Sequence, residues 1–417
     1  MMIQMGRRQF LRRGAGLTAL TATVPTFLGR TASAFANPAK PIPGLDDDRV
    51  LVVVQLAGGN DGLNTLIPHG DDAYYKARPK LAIDAKKVLK IDDYLGFHHE
   101  MVELRNMLDK GQLAVVQDVG YPNPDRSHFR SSEIWETGSS SEAMWTSGWL
   151  GRYFDNECTN VRSPVLGLQL GERPAQTFSS TNPRAVTLAN PAILDWPTGG
   201  VVGSGIEGMN RVEPMGIDAL DFVQRSANET LALAKRLKEV ARDAKPAVSY
   251  APFEFSQSLK LIADMIAAEI PTRVYYVSLG GFDTHAAQSN RHAALLQELS
   301  QGLSTFHRDL ELRGHLDRTL VMTFSEFGRR VAENKSGGTD HGTSNVMFLT
   351  GGNILPGLHG GRPELKTMDA EGDLIFKTDF RSVYAAVLKG WFNADADRLL
   401  AGHFAPAPIL KSTKSIG

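Results

Sequence analysis

Cysteine is nearly absent from the chain, since Cys158 is the only one in 417 residues. A single cysteine excludes an intramolecular disulfide and any zinc site built from several thiolates. Free cysteine is among the most often buried residue types, so Cys158 is predicted to be a small buried apolar side chain. The chain must therefore fold without a covalent cross-link between its own segments.

A surplus of positive charge is also absent. The formal net charge is −1. The first 36 residues hold five arginines and no acid, so the remainder carries 40 basic and 46 acidic residues, a net charge of −6. This balance gives no indication of nucleic acid or an anionic membrane surface as a partner.

Long apolar runs are missing beyond the N-terminal region, where no apolar stretch reaches 18 residues. A membrane-spanning helix needs about 20 such residues. We therefore expect no stable membrane anchor in the mature protein.

The first 36 residues have the three parts of a bacterial secretory signal. Arg7 and Arg8 are followed by Phe-Leu, a mildly apolar stretch comes next, and Ala-Phe-Ala at residues 34–36 fits a cleavage site. The paired arginines indicate the twin-arginine type. We predict a signal peptide at 1–36, a linker at 37–48 and a periplasmic or secreted protein carried by the twin-arginine export machinery.

The mature part alternates strand-like apolar runs with helical patterns. The predicted strands are residues 50–56, 113–119, 273–279, 319–324 and 346–350. The predicted helices are residues 98–110, 218–243, 255–270, 292–310 and 381–391. Such alternation is typical of an α/β fold whose mostly parallel, doubly wound sheet has helices on both faces. We predict one domain at 49–417, with an irregular insertion at about 159–214 that could act as a lid or select the substrate.

Acids, histidines and a serine follow the predicted strands, often after glycines that permit a sharp turn. The candidates are Asp61, Ser127, His128, Asp283, His285, Glu326, Asp340 and His341. Right-handed crossovers would bring the strand ends to one edge of the sheet, where these side chains could meet. Each of them alone could simply cap a helix, and it is their shared position that favours a functional site.

The types of these side chains predict a divalent metal cofactor. Carboxylates combined with imidazoles suit zinc or manganese, whereas an all-oxygen site would suit magnesium or calcium. Two ions about 4 Å apart could hold the attacking and the leaving oxygen of a phosphoryl-type transfer.

Ser127 stands where a helix is predicted to begin, after two prolines that keep the chain extended. A serine in this place is most often an N-cap. The free N–H groups and the dipole of a helix start also favour an anion, and Arg126 and Arg130 would strengthen such a site. From position alone the cap is the simpler explanation.

Five motifs occur in a specific order, at residues 58–64, 124–129, 280–285, 325–329 and 339–343. Together they resemble the alkaline-phosphatase-like superfamily of metal-dependent phosphatases, sulfatases and phosphomutases. They are most similar to the secreted, twin-arginine-exported family catalogued as domain of unknown function 1501. The resemblance covers roughly residues 48–392, and it implies an alkaline-phosphatase-like fold.

The resemblance also implies roles for the candidate residues. The metal ligands would be Asp61, Asp283, His285, Glu326, Asp340 and His341. Ser127 would be the nucleophile, and Arg126, Arg130 and His128 would bind the substrate. Phe327 stands where the superfamily has a metal-binding histidine after the acid.

The predicted function is therefore an extracytoplasmic metal-dependent hydrolase of phosphate or sulfate esters. Its substrate would be a small-molecule or polymer-borne ester. The alternative is a non-catalytic binding or accessory protein on the same scaffold with a degenerate metal site, which the replacement by Phe327 would favour.

Overall fold

The computed structural model describes residues 44–45, 47–161, 163, 165–188, 236–237, 239–240 and 242–411. The predicted signal peptide and most of the helix predicted at 218–243 lie outside the described residues. Contacts divide the chain into two compact units, Met1–Ala39 with Ala192–Glu239, and Lys40–Pro191 with Val240–Gly417. The second unit contains every strand and helix named below.

The strands and helices follow each other along the second unit. The strands are β1 (Val50–Ala57), β2 (Leu66–Ile67), β3 (Leu89–Lys90), β4 (Gly96–Phe97), β5 (Ala114–Gly120), β6 (Gly167–Leu170), β7 (Ala185–Leu188), β8 (Val274–Gly280), β9 (Thr319–Phe324), β10 (Asn345–Gly351), β11 (Gly357–His359) and β12 (Thr378–Asp379). The helices are α1 (Gly62–Thr65), α2 (Asp72–Ala77), α3 (Val102–Asp109), α4 (His128–Thr137), α5 (Trp149–Glu157), α6 (Glu254–Ala267), α7 (Gln288–Leu312), α8 (Phe380–Ala386) and α9 (Ala396–Leu399). None of the helices in the described ranges is long and apolar enough to cross a membrane.

Nine strands form one sheet, in the order β11-β5-β10-β9-β1-β8-β6-β7, with β12 beside β5. Every pairing is parallel except those of β10 with β5 and β9. Strands β5 and β9 are buried along their whole length, as expected when both faces of a sheet are covered. The predicted α/β fold with a mostly parallel sheet is confirmed. Strands β2, β4 and β3 form a separate small sheet.

The direction of β10 determines where the loop before it lies. The loop between β9 and β10, residues 325–344, contains no helix to carry a parallel crossover back along the sheet. The chain returns antiparallel, pairing Leu349 with Met322. As a result β10 begins at the edge where β1, β8 and β9 end, and the residues just before β10 lie at that edge.

The packing of α4 on the sheet fixes the place of its first residues. Trp135 is buried and stacks on Phe380 and on Phe324 of β9, with ring centroids 4.3 Å and 5.6 Å apart. Burying a side chain of this size stabilises the fold by about 3 kcal/mol. The aromatic cluster thereby anchors α4 against β9, so that the start of the helix is held at a defined position.

Two parallel strands, β6 and β7, lie in the segment where the sequence pattern was weak. Each is only four residues long, too short to give a clear apolar period. The helix predicted from residue 98 begins instead at Val102, because the backbone N–H of His98 donates to the carbonyl of Thr65 at 3.1 Å.

Candidate metal centre

Glycines at the strand ends let three loops approach each other closely. After β1, Gly58 has a φ of +115°, and its N–H donates to Glu326 Oε1 at 2.8 Å. A Cβ atom at Gly58 would lie 2.4 Å from the backbone nitrogen of Asp283. Only glycine therefore allows the loops after β1 and β8 to meet at this distance.

Three histidine rings converge on one carboxylate oxygen at this edge of the sheet. Asp283 Oδ1 lies 3.1 Å from His285 Nε2, 3.4 Å from His341 Nε2 and 3.5 Å from His128 Nε2. The Nε2 atoms of His285 and His341 are 2.8 Å apart. Ligand atoms of His128, Asp283 and His341 all lie within 4.8 Å of one another. The structure thus brings His128, Asp283 and His341 to one point, with His285 in contact with two of them.

Each of the three rings is oriented through its other nitrogen. The Nδ1 atoms contact oxygen acceptors: His341 the carbonyl of Arg126 at 2.7 Å, His285 Asp340 Oδ1 at 3.0 Å, and His128 Glu326 Oε1 at 3.0 Å. A carbonyl or an ionised carboxylate can only accept, so the ring proton lies on Nδ1. In the neutral form of each ring Nε2 then has a lone pair, which is the arrangement found in metal-binding histidines.

The cluster brings the donor types of a metal site close together. When both rings are neutral and protonated on Nδ1, the Nε2 atoms of His285 and His341 cannot form a hydrogen bond with each other. Two nitrogens about 2.05 Å from one tetrahedral ion lie roughly 3.3 Å apart, so a shared ion would move these two rings slightly apart from the 2.8 Å observed. The Nε2 of His128 is buried and has no hydrogen-bond partner among the described residues. A cation between these atoms would satisfy all of them.

The charge of the site is set by Arg329, whose side chain is fully buried. Its Nη2 lies 2.8 Å from Asp283 Oδ1, and its other nitrogens donate to the carbonyls of Gly59 and Thr339. Burial raises the pKa of Asp283, but the hydrogen bond and charge of Arg329 outweigh it and lower this pKa to about 2. Burial also lowers the pKa of His341, which favours the neutral ring that binds metal. The sequence motif contained Arg329 but did not reveal its role.

Glu326 and Asp340 contact the Nδ1 atoms of His128 and His285, on the side of each ring away from Asp283. Glu326 is buried and holds His128, and this hydrogen bond raises the pKa of His128. Asp340 holds His285 and also accepts a hydrogen bond from Asn334 Nδ2 at 3.0 Å. Both acids were predicted as direct ligands, and His128 was predicted to bind the substrate. In the structure His128 faces the common point, and the two acids contact the outer nitrogens of the rings.

Asp61 makes none of the contacts of this cluster in the described part of the chain. It is fully buried, and Arg78 Nη1 lies 2.6 Å from its Oδ2. Gln288 donates to the same oxygen. Burial raises the pKa of Asp61, but the charge and hydrogen bond of Arg78 outweigh it and the pKa is lowered. The metal role predicted for Asp61 stays a prediction, and its charge is already balanced by a guanidinium.

The two predicted substrate-binding arginines already have protein partners. Arg130 lies 2.8 Å from Glu133 and donates to three carbonyls of the following loop. Arg126 is held by Asp373. Between them, Ser127 is exposed at the N-cap of α4, and its hydroxyl makes no capping hydrogen bond.

Comparison with known proteins assigns the chain to a family. The sequence model of the family described as Protein of unknown function (DUF1501) matches residues 48–388. The chain belongs to this family. The match confirms the family resemblance of the five motifs. No curated protein matches the chain.

This family member shows a distant similarity to several solved structures. The PsFucS1 sulfatase from Pseudoalteromonas sp. is 10% identical, with 91% of this chain and 72% of that chain covered and a TM-score of 0.36. A protein in the alkaline phosphatase superfamily from Vibrio parahaemolyticus is 8% identical, with 81% and 71% covered and a TM-score of 0.34. The lipoteichoic acid synthase LtaP from Listeria monocytogenes is 9% identical, with 79% and 73% covered and a TM-score of 0.35. Similarities at this level carry no assignment of activity.

Phe327 forms an apolar floor under the cluster in this family member. It is buried, and its ring centroid lies 4.5 Å from that of His341 and 4.9 Å from that of His128. A Cβ atom at Gly59 would lie 2.2 Å from the Phe327 ring, so the ring is enclosed from the other side as well. Phe327 therefore supports two imidazoles by packing and offers no ligand atom.

Proposed function

We propose that this protein is a metal-dependent hydrolase of phosphate or sulfate esters. One observation carries the proposal, namely three imidazoles whose Nδ1 atoms contact oxygen acceptors and whose Nε2 atoms lie 3.1–3.5 Å from Asp283 Oδ1. Ligand atoms of His128, Asp283 and His341 lie within 4.8 Å of one another, and the Nε2 of His285 is 2.8 Å from that of His341. The class of substrate comes from the motif resemblance, which joins a metal site to a serine at the start of a helix.

The proposed ligands are His128, Asp283, His285 and His341. Three neutral nitrogens and one carboxylate favour zinc or manganese over magnesium or calcium, which prefer oxygen ligands. A bound ion would supply positive charge for an anionic transition state and lower the pKa of a nearby hydroxyl or water. Compared with the prediction from sequence, His128 takes a ligand's place, and Glu326 and Asp340 orient rings.

Ser127 is the proposed nucleophile. It precedes the proposed ligand His128, and its exposed hydroxyl makes no capping hydrogen bond that an attack on the substrate would have to break. The free N–H groups at the start of α4 favour the negative charge that an ester oxyanion brings. The side chain of Arg126 is held by Asp373, so the substrate anion would be recognised mainly by the ion and these N–H groups.

Removal of the Ser127 hydroxyl tests this assignment. Ser127→Ala is expected to lower kcat on any cleaved ester by at least about 10³-fold, because loss of a covalent nucleophile removes the main route of attack. The measurement is turnover of a phosphate- and sulfate-ester panel, with metal content determined on the same samples. Ser132→Ala on the same helix is the control and should keep full activity. Unchanged turnover in Ser127→Ala would instead assign the attack to water.

A non-catalytic role is the second candidate because the side chains of Arg126 and Arg130, which flank Ser127, already form ion pairs with acidic residues of the same chain. A metal-binding protein on this scaffold would keep the ion and cleave nothing. Metal-loaded wild type that turns over no ester of the panel would favour this role, and turnover would reject it.

We also propose that the protein acts in the periplasm or outside the cell, on the basis of the twin-arginine pattern in residues 1–36. Conversion of both Arg7 and Arg8 to Lys is expected to leave the protein in the cytoplasm, because the export machinery reads the arginine pair. Immunoblots of periplasmic and cytoplasmic fractions measure this. Equal distribution of wild type and variant would contradict the proposed route.

A further inference from the structure

We propose that Asp373 is a positioning residue for the metal centre, acting on His341 through Arg126. The inference rests on the metal site of the proposed function and adds to it a residue with no contact to the ion. Neither the composition nor any motif of the sequence marks Asp373, which lies 247 residues from Arg126.

Arg126 connects the two ends of this chain of contacts. Its backbone carbonyl accepts the hydrogen bond from His341 Nδ1 at 2.7 Å. Its side chain has Nε 3.0 Å from Asp373 Oδ2 and Nη2 bound to the same oxygen, and Nη2 also lies 3.5 Å from Asp369 Oδ2. The residue that orients the ring is therefore itself held by a buried carboxylate.

The loop that carries Asp373 is held by several hydrogen bonds. Asp369 Oδ1 accepts the N–H groups of Glu371 at 3.0 Å and of Asp373 at 2.8 Å, which closes a tight turn. The next residue, Leu374, accepts a hydrogen bond from the buried Thr343 hydroxyl. One loop thus fastens the segment before α4 through Arg126 and the segment after His341 through Thr343.

The consequence for the metal follows from the tautomer of His341. With its Nδ1 proton fixed on the Arg126 carbonyl, the ring presents the Nε2 lone pair in one direction. Without the Asp373 carboxylate, Arg126 Nε loses its partner and Nη2 keeps only the 3.5 Å contact with Asp369, so the side chain no longer fixes the position of the Arg126 carbonyl. Loss of such an outer partner of a metal ligand typically lowers metal affinity by about 10–100-fold.

Metal affinity of two variants tests the proposal. Asp373→Asn and Arg126→Lys in the full mature chain should each weaken Co²⁺ and Zn²⁺ binding by about 10–100-fold, measured by competition with a chromophoric chelator. Lysine has a single side-chain nitrogen and cannot replace the guanidinium of Arg126, which places two nitrogens on Asp373 Oδ2. Arg126 is partly exposed, so its variant tests the link should Asp373→Asn fail to fold. Asp92→Asn is the control, since Asp92 likewise pairs with an arginine, Arg362, and it should keep the wild-type affinity.

The NMR chemical shifts of the two ring nitrogens of His341 give a readout that does not depend on bound metal. In the metal-free wild type they should show the Nδ1-protonated tautomer, and in both variants a mixture of tautomers. Wild-type affinity in a folded Asp373→Asn or Arg126→Lys protein would overturn the positioning role and leave the proposed function intact. If the wild type binds no metal, the proposed function fails, and unchanged His341 resonances in the variants would overturn the positioning role as well.

Discussion

His341→Ala is expected to abolish stoichiometric metal binding and ester turnover together. His341 Nε2 is one of four donors around a common point, and its ring is oriented by the Arg126 carbonyl. Loss of an orienting partner alone costs about 10–100-fold in affinity, so loss of the ligand itself should cost more than about 100-fold. The measurement is metal content after dialysis, followed by turnover of the same preparation on the ester panel.

The matched control for this variant is His403→Ala. His403 is also paired with an aspartate, but its side chain is 81% exposed and lies outside the cluster. This variant should keep wild-type metal content and turnover. Equal metal content in folded His341→Ala and wild type would remove His341 from the ligand set and contradict the proposed centre.

Arg78→Met is expected to produce the largest loss of stability. Arg78 and Asp61 form an ion pair with both side chains fully buried, and Arg78 also donates to Asn64 and to the carbonyls of Val331 and Arg330. Removing one partner leaves an uncompensated buried charge, which costs about 3–5 kcal/mol in the free energy of unfolding. Urea unfolding measures the change.

Two further variants separate this structural role from a metal role. The double variant Arg78→Met with Asp61→Asn should recover part of the lost stability, because no unpaired charge then remains. Arg362→Met breaks an exposed pair with Asp92 and should change stability by less than about 1 kcal/mol. Metal content should stay at the wild-type level in Asp61→Asn. Loss of metal with little loss of stability would instead make Asp61 a ligand, as the motif resemblance implied.

Local patterns predicted the strands that build the site. The apolar, β-branched run of residues 319–324 became β9 with the same bounds, and the glycines after β1 and β8 indicated sharp turns at the right places. Because parallel strand ends share an edge, Asp283, His285 and His341 could be expected to meet. His128 was also among the strand-end candidates, but it was expected to bind the substrate and not the metal.

The division of roles among the remaining residues depends on tertiary packing. His128 faces Asp283 because α4 is anchored by Trp135, which contacts aromatic residues distant in the chain. That anchoring places Glu326 behind the His128 ring. Spacing alone gives no sign of this arrangement, and the ligand role of Glu326 was implied by the motif resemblance.

Local sequence patterns also did not predict the ion pairs that hold the loops. Arg78 lies on a short loop after α2 with no motif around it, yet it balances Asp61. Asp373 reaches Arg126 across 247 residues. Such contacts are set by how the loops fold back on the sheet edge, including the antiparallel return through β10.

The central claim is that one ion binds between His128, Asp283, His285 and His341. Anomalous diffraction from crystals of zinc-loaded protein tests it most directly. The expected result is a single strong peak about 2.0–2.2 Å from the Nε2 atoms of the three histidines and from an oxygen of Asp283. No peak at this position in protein that carries stoichiometric zinc, or a peak beside Asp61 instead, would contradict the account.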